Sequence, residues 1–152
     1  MVWTPPRTWA TGELVTASIA NTHWRDEFLA LSQARGFLFV IGDTNGGVIN
    51  TGLKGFFMVP YTCDVTGWTL LGDAVGSIVI DVWRDTYANF PPTVADTITG
   101  SEKPTLTAQI KNQDLSLGTW NRTVNAGDVL AFNVDSAATV KQASLILSAE
   151  LS

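Results

Sequence analysis

Hydrophobic and polar residues alternate along most of the chain from residue 37 onward, with the two-residue period of β-strands. Near the C-terminus five apolar residues fall on one face of such a pattern: Ala143, Leu145, Leu147, Ala149 and Leu151. Turn-forming residues at 43–47 and 125–128 separate neighbouring patterns. The chain is therefore predicted to be mainly β, an antiparallel, jelly-roll-like β-sandwich. Its predicted strands are 37–41, 48–50, 55–59, 67–71, 76–84, 105–110, 118–124, 129–135 and 140–151.

A helical period precedes the strands. Four apolar residues, Ala20, Trp24, Phe28 and Leu31, recur three or four residues apart. With Thr16 as the N-cap and Gly36 as the stop signal, this spacing predicts one α-helix over residues 16–34. The stripe is too short for an independent coiled coil, so we expect it to pack on the sandwich or on neighbouring subunits.

Before the helix, two tryptophans lie on either side of a pair of prolines, Pro5 and Pro6. Proline fixes φ and lacks an amide donor, which predicts an extended arm over residues 1–12 that cannot bury Trp3 and Trp9 by itself. The chain is thus divided into a docking arm and helix, residues 1–35, and a β-sandwich domain, residues 36–152.

Residues 3–17 read W-T-P-P-R-T-W-A-T-G-E-L-V-T-A, and residues 21–26 read N-T-H-W-R-D. This segment resembles the start of many bacteriophage virion proteins, especially tail-fibre and minor tail proteins, in which W-T-x-P-R-T-W-x-x-G-E-x-V-T-A is followed by N-T-H-x-R-D. Residues 67–151 also look like the C-terminal β-domains of phage fibre and tail proteins. The residues expected to bind partner proteins are Trp3, Pro6, Arg7, Trp9, Glu13, His23, Arg25 and Asp26.

The resemblance implies a non-enzymatic structural protein of the virion: a short fibre, a spike, or a decoration subunit of the capsid or tail. It implies assembly in the cytoplasm of the bacterial host, a final location in the virion, contacts with other virion proteins, and a homotrimer. The family has no catalytic residues to carry over. The resemblance does not assign a place within the particle.

Composition excludes several other classes. The net charge is −5 and the nine basic residues are scattered, so we expect no nucleic-acid partner. No apolar run approaches the roughly 18 residues of a membrane span, so we expect no membrane insertion. Only 15% of the residues are charged, which suits a surface in permanent contact with other subunits. The single cysteine, Cys63, is expected to be a small packed side chain.

Candidate chemistry is sparse. His23 is the only histidine and has no recognisable nucleophile, so we predict that the protein is not an enzyme. Two groups of oxygen ligands suit calcium, but neither has the spacing of a calcium loop, and no metal or cofactor is expected. The first group is Asp81, Asp85, Asp96 and Glu102; the second is Asp128, Asn133 and Asp135.

The longest irregular stretch, residues 85–104, suggests a second function. Tyr87, Asn89 and Phe90 lie in this loop and are candidates for contact with a host-surface glycan. The alternative prediction is therefore a carbohydrate- or receptor-binding module.

Residues 77–83 are apolar on both faces of the predicted strand. Such a strand is either central and covered on each side, or buried on one face by another subunit. The second possibility, together with the apolar helix stripe, is a further reason to expect an oligomer.

Overall fold

The structure is a computed structural model that describes residue 8, residues 10–25 and residues 35–151. It is mainly antiparallel β with one short α-helix, so the predicted fold class is confirmed. Helix α1 spans Ala17–Ala20 and continues as a π-helical turn, Asn21–Arg25. The strands are β1 (Arg35–Gly42), β2 (Gly52–Met58), β3 (Cys63–Thr86), β4 (Thr105–Asp114), β5 (Thr123–Val124), β6 (Asp128–Ala138) and β7 (Gln142–Leu151).

All seven strands belong to one sheet, which curls so that two layers face each other. Strand β3 contributes to both layers. Its first half pairs with β7, which pairs in turn with β1; we call this layer the first leaf. Its second half pairs with β6, which pairs in turn with β2; we call this layer the second leaf. Strand β4 runs beside β3 in both leaves, and the two-residue β5 pairs with the start of β3.

The sheet turns between the leaves at residues 72–76 of β3. The register with β4 shifts between Leu71 and Gly76, as expected where a strand bends sharply. Gly76 is required there, because a Cβ atom would lie 2.7 Å from the carbonyl oxygen of Ala138. Asp73 holds the adjoining turn: its Oδ1 accepts hydrogen bonds from the backbone N–H groups of Lys141 (2.9 Å) and Gln142 (3.1 Å).

The core lies between the leaves and follows the strand period of two. Ile78, Ile80 and Val82 of the second leaf have no exposed surface, and neither do Leu145 and Leu147 of the first leaf. Cys63 is buried in the same cluster, as expected for a packed side chain. Aromatic rings join the two leaves on the side of β1 and β2, where the Phe39 and Phe132 rings stack with centroids 4.1 Å apart.

Most predicted strands are confirmed, with three differences. Residues 67–71 and 76–84 belong to one strand, because the bend does not end the pairing. Residues 48–50 form no strand; Ile49 is buried and donates one backbone hydrogen bond to Val140. The predicted strand 118–124 is reduced to Thr123–Val124, since the Glu102 carboxylate binds backbone donors of Gly118 and Thr119 that a strand partner would otherwise take.

The N-terminal predictions are tested only in part. Thr16 is the predicted N-cap, and its Oγ1 accepts a hydrogen bond from Ile19 N at 3.3 Å. The helix predicted for residues 16–34 is α-helical over Ala17–Ala20, but Asn21–Arg25 form a π-helical turn in place of the predicted α-helix. Residues 26–34 lie outside the described residues, as do residues 1–7 and residue 9 of the predicted arm.

Candidate functional site

The described part of the N-terminal segment, residues 8 and 10–25, contains three of the residues predicted to bind partners: Glu13, His23 and Arg25. The Glu13 carboxylate accepts the N–H of Ala10 at 3.2 Å, and the N–H of Glu13 donates to the Ala10 carbonyl at 3.1 Å. These two bonds close a turn just before the helix, with Gly12 at a φ of +81°. The end of the predicted extended arm is therefore a turn.

His23 and Arg25 belong to the π-helical turn, where the side chain of His23 lies outside the described part and Arg25 is exposed. The other predicted partner-binding residues, Trp3, Pro6, Arg7, Trp9 and Asp26, lie outside the described residues. Their role stays a prediction.

Apolar side chains of the N-terminal segment face solvent. Leu14 is 79% exposed and Trp24 is 50% exposed. No side chain described among residues 8–25 is buried, and the buried core of the sandwich begins at Phe37. Residues 8–25, as far as they are described, thus add no buried side chain to the core, and their large apolar side chains are accessible to another molecule.

The second candidate surface is the loop after β3. Tyr87–Asn89 forms a single 3-10 turn held by Asp85, whose Oδ1 accepts hydrogen bonds from Thr86 N (2.7 Å) and Asn89 Nδ2 (3.1 Å). Tyr87 is 71% exposed. The structure therefore places Tyr87 and Asn89 together on a fixed turn.

Phe90 follows this turn and differs from Tyr87, because its ring packs edge-on against Phe56 of β2, with centroids 4.7 Å apart. It remains 49% exposed. The Phe90 ring is thus in contact with another ring of the same chain, and Tyr87 is the more accessible of the two aromatic residues.

A pocket of about 140 Å³ includes in its lining Asp85 and Thr86, the two residues that precede Tyr87 in the chain. Its lining is polar and comes from the end of β3 and the turn before β6: Arg84, Asp85, Thr86, Asn125 and Asp128. Asp128 orders this group, because its Oδ2 accepts the N–H of Asn125 at 2.9 Å and lies 3.9 Å from Arg84 Nε. Amide, carboxylate and guanidinium groups, followed in the chain by an exposed aromatic residue, suit a polyhydroxylated ligand. The sequence reasoning had not connected Arg84 and Asn125 with this loop.

Residues 87–104, which we call the cover segment, contact both β2 and β3 of the second leaf. Phe90 contacts Phe56 in β2, and Thr97 forms a β-bridge with Trp83 in β3. Phe56 and Trp83 are both paired with Ala131 of β6, which has no exposed surface. The cover segment therefore reaches from a ring contact on β2 to backbone hydrogen bonds along the edge of β3.

A buried carboxylate attaches the cover segment to β3. Asp81 is 1% exposed; its Oδ1 accepts hydrogen bonds from the Thr97 hydroxyl (2.6 Å) and the Thr99 hydroxyl (2.7 Å). Its Oδ2 lies 3.0 Å from Lys103 Nζ, which also contacts Asp135 at 2.7 Å. Burial raises the pKa of Asp81, but the hydrogen bonds from Thr97, Thr99 and Lys103 outweigh it and hold the pKa below its usual value.

The carboxylates considered as calcium ligands do not converge. Asp81 and Asp85 bind different parts of the loop, as described above, and Asp96 accepts the Thr93 N–H at 2.7 Å in a capping box. Glu102 accepts the backbone N–H groups of Gly118 (2.8 Å) and Thr119 (2.7 Å). Among the described residues, no group of three or more histidine, cysteine, aspartate or glutamate side chains could hold a metal ion.

Among the residues that the structure describes, no helix combines the length and apolar character needed to cross a bilayer. No family model matches the chain, and no curated protein is significantly similar to it.

Proposed function

We propose that this protein is a non-enzymatic structural subunit of a bacteriophage virion, a short fibre, a spike, or a decoration subunit of the capsid or tail. The N-terminal segment docks it to other virion proteins, and the β-sandwich is the part that projects. The resemblance of residues 3–26 to phage virion proteins supports the class. One structural observation supports separate roles for the N-terminal segment and the sandwich. The described side chains before Arg35 are not part of the sandwich core, and Leu14 and Trp24 are exposed.

The chemistry of such a subunit is that of its interfaces. Trp3 and Trp9 are the proposed anchors, since tryptophan is enriched among the residues that dominate binding energy. Pro5 and Pro6 reduce the entropy lost when the arm is ordered on its partner. A homotrimer in the particle and assembly in the host cytoplasm are parts of the same proposal.

The proposal is tested by incorporation into particles. A variant that lacks residues 1–12, and the double substitution Trp3→Ala with Trp9→Ala, are supplied in place of the wild-type subunit during infection. Two lost anchors of roughly 2 kcal/mol each weaken docking by about a thousandfold, so both variants should be missing from purified particles. Their melting temperatures should match that of the wild type, because the sandwich core begins at Phe37.

The matched control is Trp3→Phe with Trp9→Phe, which keeps large aromatic side chains and should retain most of the incorporation. Normal occupancy of the double alanine variant in particles would overturn the docking role of the arm. Absence of the wild-type protein itself from purified particles would overturn the assignment to the virion.

The exposed Tyr87, which follows two residues that line the polar pocket, favours a second candidate function, recognition of a host-surface glycan. Binding of the purified protein to host envelope polysaccharide and to a glycan array tests it. Tyr87→Ala should abolish the signal, whereas Val94→Ala, which removes another exposed apolar side chain of the same segment, should not. An equal signal from the wild type and both variants would exclude this site.

A further inference from the structure

Strand β1 is an edge strand with an unusually regular backbone. Its eight residues pair one-to-one with β7 from Arg35 to Gly42, without any register shift. Within the described part of the chain, β7 is the only strand that pairs with it. Between residues 36 and 42 the sequence is G-F-L-F-V-I-G, with no charged residue and no proline. Soluble proteins seldom leave such an edge open, since its backbone donors and acceptors are a template for another strand.

The other two long edge strands are protected against this kind of pairing. In β2 the register shifts between Leu53 and Gly55, and the residue between them is Lys54. In β4 the register shifts twice relative to β3, Ala108 has a φ of +49°, and Lys111 is exposed. Bulges and edge lysines disfavour edge-to-edge association. Only β1 lacks both.

The side chains of β1 that point outward are apolar as well. Leu38 is 59% exposed and Val40 is 47% exposed. Their cross-strand neighbours continue this surface: Leu38 is paired with Ile146 of β7, and Leu71 of β3 lies in the same row as Val40. An approaching strand would therefore bury apolar side chains in addition to making backbone hydrogen bonds.

We propose that β1 pairs antiparallel with β1 of a second copy of this chain, about a two-fold axis at Phe39. The apolar pattern of residues 36–42 is nearly the same when read from either end. Centred on Phe39, the pairing places Leu38 opposite Val40 of the second copy, Phe37 opposite Ile41, and Gly36 opposite Gly42. An antiparallel contact of one strand with itself is a closed two-fold interface, so it ends at two copies.

The absence of charged residues from 36–42 favours a second copy of this strand over a charged partner. Each chain has a net charge of −5, so two copies repel each other on average. The surface best suited to self-association is then one without acidic residues, and residues 36–42 provide it. This inference concerns β1 alone and does not rest on the proposed function.

The molar mass of the purified full-length chain in solution tests the proposal. Light scattering should show two chains, or six where the N-terminal segment also forms the trimer implied by the sequence resemblance. One chain or three chains at micromolar concentration would overturn it. Those backbone amides of β1 that point away from β7 should be protected from hydrogen exchange only in the associated state; equal protection of them in a monomer would show that the protein's own chain covers this edge.

Two double variants test the register. Leu38→Lys with Val40→Lys places lysines opposite each other on both sides of the axis and should raise the dissociation constant about tenfold. Leu38→Glu with Val40→Lys changes the same two exposed positions but places opposite charges across each pair, so it should associate about as well as the wild type. Equal association of both double variants would overturn the proposed register.

The control for a general effect of surface lysines is Leu53→Lys. Leu53 is 43% exposed on the other edge strand, β2, and its substitution should leave the dissociation constant unchanged. A loss of association with this variant, with the β1 variants unaffected, would assign the interface to β2 and overturn the proposal.

Discussion

The two leaves share the strand β3 but differ in what covers their outward faces. In the second leaf, Ala131 has no exposed surface and Asp81 is 1% exposed; hydroxyls of the cover segment bind Asp81, and Phe90 of the same segment packs on Phe56. In the first leaf, the described part of the chain supplies no comparable cover for the corresponding face, where Leu38 is 59% and Leu71 is 42% exposed. Apolar residues on the outside of a strand therefore do not by themselves require a second subunit. What matters is whether the same chain supplies the cover.

This comparison changes the interpretation of residues 77–83. Their two-sided apolar pattern was one reason to expect an oligomer, yet the structure shows a central strand whose second face is covered by residues of the same chain. The exposed apolar surface lies instead on β1 and its neighbours in the first leaf. The first leaf is thus the better place to look for contacts between copies of this sandwich.

The largest effect should come from removing the carboxylate that attaches the cover segment. Asp81→Ala leaves Lys103 without its buried partner and leaves the hydroxyls of Thr97 and Thr99 without their acceptor. We expect a loss of about 3 to 5 kcal/mol in the free energy of unfolding, measured by urea denaturation. Asp135→Ala removes the exposed partner of the same lysine and should cost less than about 1 kcal/mol. Equal losses in both variants would show that the buried pair does not hold the cover segment.

A smaller loss is expected from the apolar contact of the cover segment. Ile98 is 2% exposed and donates its backbone N–H to the Val82 carbonyl at 2.9 Å. Ile98→Ala should lower the free energy of unfolding by about 2 to 4 kcal/mol, because it leaves a cavity in the core. Val94→Ala, at a 68% exposed position of the same segment, should change it by less than about 0.5 kcal/mol. A negligible effect of Ile98→Ala would mean that the cover is only loosely packed.

Acid should weaken the second leaf, where three carboxyl groups with a lowered pKa hold the cover segment, before the first, for which Asp73 at the bend has a lowered pKa among the described residues. Hydrogen bonds from the backbone of Thr119, its hydroxyl and Gly118 lower the pKa of Glu102, and hydrogen bonds from Thr93 lower the pKa of Asp96. The pKa of Asp81 is lowered too. A carboxyl with a folded-state pKa below its unfolded value of about 4 stabilises the fold above that pH, and this contribution disappears as the pH falls through the folded-state pKa.

Hydrogen exchange between about pH 6 and pH 3, corrected for intrinsic rates, measures this effect. Protection of residues 92–104 should decrease before that of β7. Glu102→Gln removes one of the titrating groups and should flatten the dependence of stability on pH. A simultaneous loss of protection in both leaves would contradict a separate role for these carboxylates.

The smallest effect is expected on the uncovered face of the first leaf. Leu70 and Leu71 are neighbours in β3 that point to opposite faces; Leu70 is fully buried and Leu71 is 42% exposed. Leu71→Ala should change the free energy of unfolding of the isolated chain by less than about 0.5 kcal/mol. Leu70→Ala should cost about 2 to 5 kcal/mol. A large loss from Leu71→Ala in a monomer would mean that the first leaf, too, is covered by its own chain.

The candidate loop site shows which features can be predicted from local sequence and which cannot. The loop was found from its length and composition, and Tyr87 and Asn89 do lie on an exposed turn. That Phe90 packs on Phe56 was not predictable, because the two residues lie on elements separated along the chain by β3. The same holds for Arg84 and Asn125 in the pocket. The acid at position 81, inside an apolar strand pattern, was the one local signal that a buried polar contact was needed.

The sequence by itself determined the class of fold, because alternation, turn residues and the Thr16 cap act over a few neighbouring residues. It also determined most strand positions and the core faces of β3 and β7. Only the tertiary structure decided that residues 67–71 and 76–84 form one bent strand, that the cover segment contacts β2 and β3 of the second leaf, and that β1 pairs with β7 alone among the described strands. These features depend on which distant segments meet, and the period of a single strand carries no information about its neighbours.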